Sequence, residues 1–305
     1  MTVRHRQVTV DGIEIFYREA GPEDAPVLLL LHGFPSSSHM FRHLLPQLQR
    51  DYRLIAPDYP GFGQSEFPSP AEFSYTFENL AGVMQRFIRT IRLDRYALYI
   101  QDYGAPVGLR LALADPERIT GLVVQNGNAY EEGLSRDWDP LRDYWRHPTQ
   151  ANRERLRTWL DPEGIRQQYV AGVPDRLLQL FSPDTWTLDW ARLSRPGNLD
   201  AQLDLFYDYR TNLELYPAFH EFFRRFQPPT LIVWGRHDPF FTVAGAEAFR
   251  RDLPAAELHY LDTGHFALET HCEEIATLIH EFMGRQVVEG NGSSGFAAAS
   301  TLEEY

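Results

Sequence analysis

The sequence holds a single cysteine, Cys272, in 305 residues. That excludes an internal disulfide and any cysteine-based metal site, and it suits a reducing compartment. Cys272 falls in a C-terminal helical pattern without a base-like neighbour, which reads as packing. Long apolar runs are also missing: Ala25 to Leu31 is broken by Pro26 and is far short of the ~20 residues that span a bilayer. The first residues alternate polar and apolar and lack a signal-peptide core, so the expected location is cytoplasmic, with no membrane partner. Positive charge is in deficit. The 29 Lys and Arg against 42 Asp and Glu leave a net charge of −13, which repels nucleic acid and anionic membranes alike. No internal repeat is present. What remains, 43% hydrophobic and 23% charged residues, is an ordinary globular composition with chain enough for a large core.

Within this composition strands and helices alternate. Val8 to Tyr17 reads as two strands joined at Asp11-Gly12, a strong hairpin signal. Apolar strands follow at Val27 to His32, Tyr52 to Ala56, Leu98 to Ile100, Gly121 to Gln125, Thr230 to Trp234 and Leu258 to Leu261. Between them the periodicity predicts helices from a Ser36–Ser38 cap through Leu48, over Phe77 to Ile91, from Gly108 to Ala114, and over about Glu273 to Met283. This is an α/β pattern, a mostly parallel sheet flanked by helices, with chemistry expected at the carboxyl ends of the strands.

One stretch departs from it. Residues 134–216 carry Trp138, Trp145, Trp159, Trp186 and Trp190 with helical periodicity and no strand signal. They read as a helical lid enclosing an aromatic, water-poor pocket for a small apolar organic substrate, although a plain helical packing module has the same composition. The chain thus divides into a first core part (1–133), the lid (134–216), a second core part (217–288) and a glycine- and serine-rich tail (289–305) expected to be disordered.

The organising stretch is Ala97 to Gly108, in which Gln101-Asp102-Tyr103-Gly104 sits where strand becomes helix. A carboxylate is ionised at neutral pH and attacks a saturated carbon without a base to deprotonate it. The resulting ester must then be cleaved by water, which requires a general base and oxyanion donors. An Asp at a strand end also serves simply to cap the next helix, and the local residues taken alone favour that plainer role. Three further strand ends carry matching groups: His32-Gly33-Phe34-Pro35, Asp238 in Gly235-Arg236-His237-Asp238, and His265 in Thr263-Gly264-His265-Phe266. The backbone N–H groups of Phe34 and Tyr103 are the expected oxyanion donors. The order nucleophile, acid, histidine recurs in one large enzyme group.

With Gly61-Phe62-Gly63-Gln64-Ser65, these motifs resemble the aspartate-nucleophile branch of the α/β-hydrolases, which holds epoxide hydrolases and haloalkane dehalogenases. The resemblance implies that Asp102 attacks carbon and that His265, oriented by Asp238, activates water on the ester, with no metal and no cofactor. Glu131 and Glu132 stand as substitutes for Asp238, because Asn126 occupies the alternative acid position. Epoxide hydrolases protonate the opening ring with two lid tyrosines. The segment Tyr209-Arg210-Thr211-Asn212 is similar to one that carries such a residue, which points to Tyr209, with Tyr144 as its expected partner and Tyr169 next. His32, Pro35, Trp145, Tyr169 and Phe266 are expected to line the pocket. Dehalogenases instead hold the halide with N–H donors, and Gln101 before Asp102 resembles their form, whereas Tyr103 stands where they place Trp. Ester or lactone hydrolysis, and a non-catalytic ligand-binding scaffold, rank behind these two readings.

Overall fold

A computed structural model describes residues 2–292 of the chain. Eight strands form one sheet in the order β1-β2-β4-β3-β5-β6-β7-β8. They are β1 (Arg4–Val10), β2 (Ile13–Ala20), β3 (Val27–Leu31), β4 (Arg53–Pro57), β5 (Tyr96–Gln101), β6 (Ile119–Gln125), β7 (Thr230–Gly235) and β8 (Glu257–Leu261). Asp11 and Gly12 both take positive φ, 49° and 86°, the geometry of a tight hairpin turn, and they join β1 antiparallel to β2. From β3 onward neighbouring strands run parallel.

The central strands are apolar at successive positions because both faces are covered. Leu29, Leu31, Leu98, Ile100, Leu122 and Val124 point into a core on one face, while Leu28, Leu30, Tyr99, Val123, Leu231 and Val233 point into the other. The first face is covered by α2 (Phe77–Thr90), α3 (Gly104–Ala114) and α11 (Val243–Asp252), and the second by α1 (Leu44–Leu48) and α12 (Leu268–Gly292). Each buried leucine contributes about 1.5–3 kcal/mol of transfer free energy.

Between β6 and β7 the chain leaves the sheet and builds α4 (Asp139–Arg146), α5 (Gln150–Arg155), α6 (Pro162–Val170), α7 (Asp175–Leu178), α8 (Asp184–Leu193), α9 (Asn198–Asp208) and α10 (Arg210–Phe226). The lid boundary read at 216 falls inside α10. The apolar face of that helix continues through Phe219, Phe222 and Phe223, all buried, so it runs unbroken from the lid to contacts with α3 and α11. The helix expected from Ser38 through Leu48 is also divided. Ser37 caps a 3₁₀ turn (Ser38–Phe41), and α1 begins separately at Leu44. In the tail, α12 reaches Gly292, and residues 293–305 lie outside the described residues. No helix among the described residues is long and apolar enough to cross a membrane, and no cluster of side chains among them could hold a metal ion.

Candidate active site

Asp102 stands at the end of β5 with φ of 49°, a left-handed conformation that costs a non-glycine residue about 1–3 kcal/mol. Two glycines permit the tight turn. A Cβ on Gly104 would lie 2.2 Å from the Leu31 carbonyl oxygen, and one on Gly33 would lie 2.3 Å from Cβ of Asp102. The carboxylate does not cap α3, whose first turn has no side-chain cap. Instead Asp102 Oδ1 accepts a hydrogen bond from the Phe34 N–H at 2.6 Å, and the Tyr103 N–H also favours its ionised form. Burial works against both donors and pushes Asp102 up to about 6. One of the two N–H groups expected to stabilise an oxyanion, that of Phe34, therefore already holds one oxygen of this carboxylate.

His265 Nε2 lies 3.9 Å from Asp102 Oδ2, and His265 Nδ1 lies 2.7 Å from Asp238 Oδ2. The Gln101 amide donates toward His265 Nε2 at 2.9 Å, an arrangement that requires the neutral ring to carry its proton on Nδ1, facing Asp238. Burial alone would lower His265. The charge and hydrogen bond of Asp238, with the charge of Asp102, outweigh it and leave the imidazole raised above its ordinary 6.5. Asp238 is itself held on both oxygens: Asn126 Nδ2 donates to Oδ2 at 2.8 Å, and the Phe240 N–H donates to Oδ1 at 2.7 Å. Gln125 Nε2 donates to the His265 carbonyl oxygen at 2.8 Å.

Gln101, Gln125 and Asn126 had no positioning part in the sequence reading, yet all three are fully buried and hold the histidine or its carboxylate. Polar residues closing two otherwise apolar strands were the available signal, since a buried amide is costly unless bonded. Glu132 pairs with Arg251, Glu131 and Glu132 are both exposed, and neither meets His265, so Asp238 is the carboxylate bonded to the imidazole.

The lid brings Tyr209 to this site. Tyr209 is the junction of α9 and α10, and its neighbours pin it to the core: Asp208 accepts from the Phe77 N–H at 2.8 Å, and Arg110 donates to Asn212 Oδ1 at 2.6 Å. Its ring packs 4.5 Å from that of Trp138 and 5.4 Å from that of Phe77. Its hydroxyl is buried and has no hydrogen-bond partner of good geometry among the described residues, with the Tyr216 phenol close enough to bear on its titration. Burial, with Tyr216 and Asp102 nearby, raises the phenol well above its ordinary value and keeps it protonated. Asp102, Tyr209, Phe34, Tyr103, Trp138 and Leu141 share the walls of a small, partly open cavity of about 30 Å³ with Trp159, Gln168, Phe206 and Phe240.

The other expected pocket residues stand outside that cavity. Tyr144 packs on Tyr207 at 5.0 Å and accepts from Arg153, so its phenol serves the lid's own packing. Tyr169 stacks on Phe266 at 4.0 Å and donates to Asp189. His32 accepts from the Tyr59 N–H at 3.2 Å, and burial lowers it to about 4, so it stays neutral beneath the Phe34 turn. Pro35 follows Phe34 in that turn through a cis peptide bond. Trp145 stacks behind Tyr209 at 6.2 Å and donates its indole N–H to the Phe206 carbonyl oxygen.

The sequence pattern of the α/β-hydrolase fold matches residues 26–271. The chain belongs to the α/β-hydrolase fold family. An uncharacterized hydrolase of Saccharomyces cerevisiae is 47% identical over 277 residues, covering 89% of this chain and 94% of that one. A haloalkane dehalogenase of Psychrobacter cryohalolentis is 36% identical over 115 residues, 37% of this chain and 38% of its own. Among solved structures, the haloalkane dehalogenase DbeA of Bradyrhizobium elkani superposes with a TM-score of 0.77 at 24% identity, covering 94% of this α/β-hydrolase and all of the other chain (100%). At that identity the likeness is one of fold.

Proposed function

We propose that this α/β-hydrolase opens epoxides to diols through a covalent ester on Asp102. The carrying observation is that Tyr209, whose buried phenol has no hydrogen-bond partner of good geometry among the described residues, lines the same small cavity as Asp102. Asp102 Oδ2 attacks a ring carbon, the C–O bond breaks, and Tyr209 gives its proton to the departing alkoxide. His265 then takes a proton from water, which adds to the ester carbon. The ester's carbonyl oxygen is the former Oδ1, which already accepts from the Phe34 N–H, so the negative charge develops where a donor stands. Collapse expels the second oxygen as an alkoxide that takes the proton held by His265, and the new carboxyl's proton returns to the Tyr209 phenolate, so the diol leaves with Asp102, His265 and Tyr209 all restored. Tyr144 has no part in this scheme, and Tyr209 is its phenol donor.

A halide would need N–H donors in place of a proton. The indole N–H of Trp138 is committed to the Phe240 carbonyl oxygen at 2.9 Å, and that of Trp145 to Phe206 at 2.8 Å. Trp159, which lines the cavity and makes no hydrogen bond through its indole among the described residues, keeps haloalkane dehalogenation as the second reading, alongside the dehalogenase relatives. Tyr209→Phe discriminates between the two. It is expected to lower kcat/KM for styrene oxide about 100-fold, and to leave any halide release from 1-bromobutane within about twofold. Equal loss in both assays removes the phenol from the ring-opening role.

The acid limb has two parts. Asp102 must be ionised to attack, so ester formation fails as pH falls through about 6. His265 must be neutral to take a proton from water, so ester hydrolysis fails first, as pH falls through its raised value. Acid quenching during turnover is expected to find more protein carrying the ester near pH 6 than at pH 8, read as a mass increase of one substrate.

A further inference from the structure

The cavity over Asp102 has about 30 Å³, the space of roughly one water molecule. An organic substrate enters only if a wall moves. Immediately outside lies a groove of about 600 Å³ whose floor includes Arg136, Asp137 and Gln167. Groove and cavity share three side chains, Trp159, Gln168 and Phe240, which are therefore the partition between solvent and the carboxylate.

The three are held unequally. Phe240 is fixed: its N–H donates to Asp238, its carbonyl oxygen accepts from Trp138 at 2.9 Å and from the Ser135 N–H at 3.2 Å, and its ring stands edge-on to His265 at 5.5 Å. Trp159 and Gln168 make no side-chain hydrogen bond among the described residues. Trp159 is half-buried and meets Phe206 edge-on at 5.9 Å. Gln168 is 7% exposed, and its amide keeps solvent contact and has no protein partner among the described residues. Both belong to one short stretch of the lid, the 3₁₀ turn Leu156–Trp159 and α6.

We propose that Trp159 and Gln168 form the gate through which substrate passes from the groove to Asp102, with Phe240 as the fixed side of the opening, and that these two residues set the size of substrate admitted. This rests on the reading above only in taking the cavity as the reaction chamber, and it is testable without turnover. In a Cys272→Ser background, Leu141→Cys places one thiol in the cavity wall, and methyl methanethiosulfonate, small and uncharged, reports its accessibility by mass. Trp159→Ala and Gln168→Ala are each expected to speed labelling about tenfold or more, because each removes part of the partition that must open. Phe226→Ala, in the separate groove beside Ala112, is expected to leave the rate unchanged. Thermal melts establish that each variant is folded. Unchanged labelling in both gate variants, or equal acceleration by Phe226→Ala, overturns the gate. Failure of epoxide turnover alone, with labelling accelerated as expected, bears on the proposed reaction and leaves the gate standing.

Discussion

Asp102→Asn is expected to lower turnover by about 10⁴-fold or more and at the same time to make the protein more stable. The first effect follows from chemistry, since an amide oxygen in place of the carboxylate is a poor nucleophile toward carbon. The second follows from the raised pKa. Asp102 ionises at about 6 in the fold against 3.8 when exposed, so between those values the folded state binds the proton and the unfolded chain does not. Above about pH 6 the folded state carries a buried charge that the unfolded chain would hold in water, a penalty on the order of 3 kcal/mol. It is relieved as pH falls through 6. Asn keeps an oxygen to accept from Phe34 and removes the charge, so the melting temperature at pH 8 is expected to rise by several degrees, with the gain disappearing toward pH 4. A helix-capping aspartate gives the opposite result, because removing a cap destabilises the fold by about 1 kcal/mol. Calorimetry of the two proteins at both pH values, beside an activity assay, separates a reactive carboxylate from a structural one.

The parts legible in the sequence are those fixed by short-range rules. A left-handed residue between a buried strand and a glycine, or an Asp-Gly between alternating strands, constrains the backbone whatever lies elsewhere, and the hairpin and the Asp102 turn were readable from a few residues each. The strand ends bearing Asp238 and His265 were readable because a parallel sheet gathers its carboxyl ends along one edge. Lid residues are different. Tyr144 and Tyr209 both lie in amphipathic helical sequence, and only the packing of α4 against α9 turns one phenol onto Tyr207 while the Asp208 and Asn212 anchors carry the other over the carboxylate. That choice is tertiary and leaves no periodic trace. Gln101, Gln125 and Asn126 fall between these cases: the chain announces that buried amides are present, and the fold alone says whom they hold.

His265→Gln carries the argument one step beyond the nucleophile. Gln keeps a polar group of similar reach, so Asp238 and Asn126 retain a partner, but it cannot accept a proton from water. Ester formation needs only Asp102 and Tyr209, and it is expected to continue; ester hydrolysis is expected to slow by about 10³-fold. The two rates therefore separate. Mixing the variant with excess styrene oxide should yield close to one equivalent of protein heavier by one epoxide, and peptide mapping should place the added mass on the segment containing Asp102. The diol should appear as a single burst of at most that stoichiometry. A variant with normal steady turnover would show that the imidazole, although 2.7 Å from Asp238 and 3.9 Å from Asp102, is not the base for the second step. A variant that forms no adduct with epoxide, while one forms with 1-bromobutane, would move the protein to the dehalogenase reading, because the carboxylate would then be reactive and the phenol idle. The same trapped species makes the amides measurable. Gln101→Leu leaves every ester-forming group in place and frees His265 Nε2 from its one donor among the described residues, so any change it causes should fall on the hydrolytic step and on the pH at which that step fails.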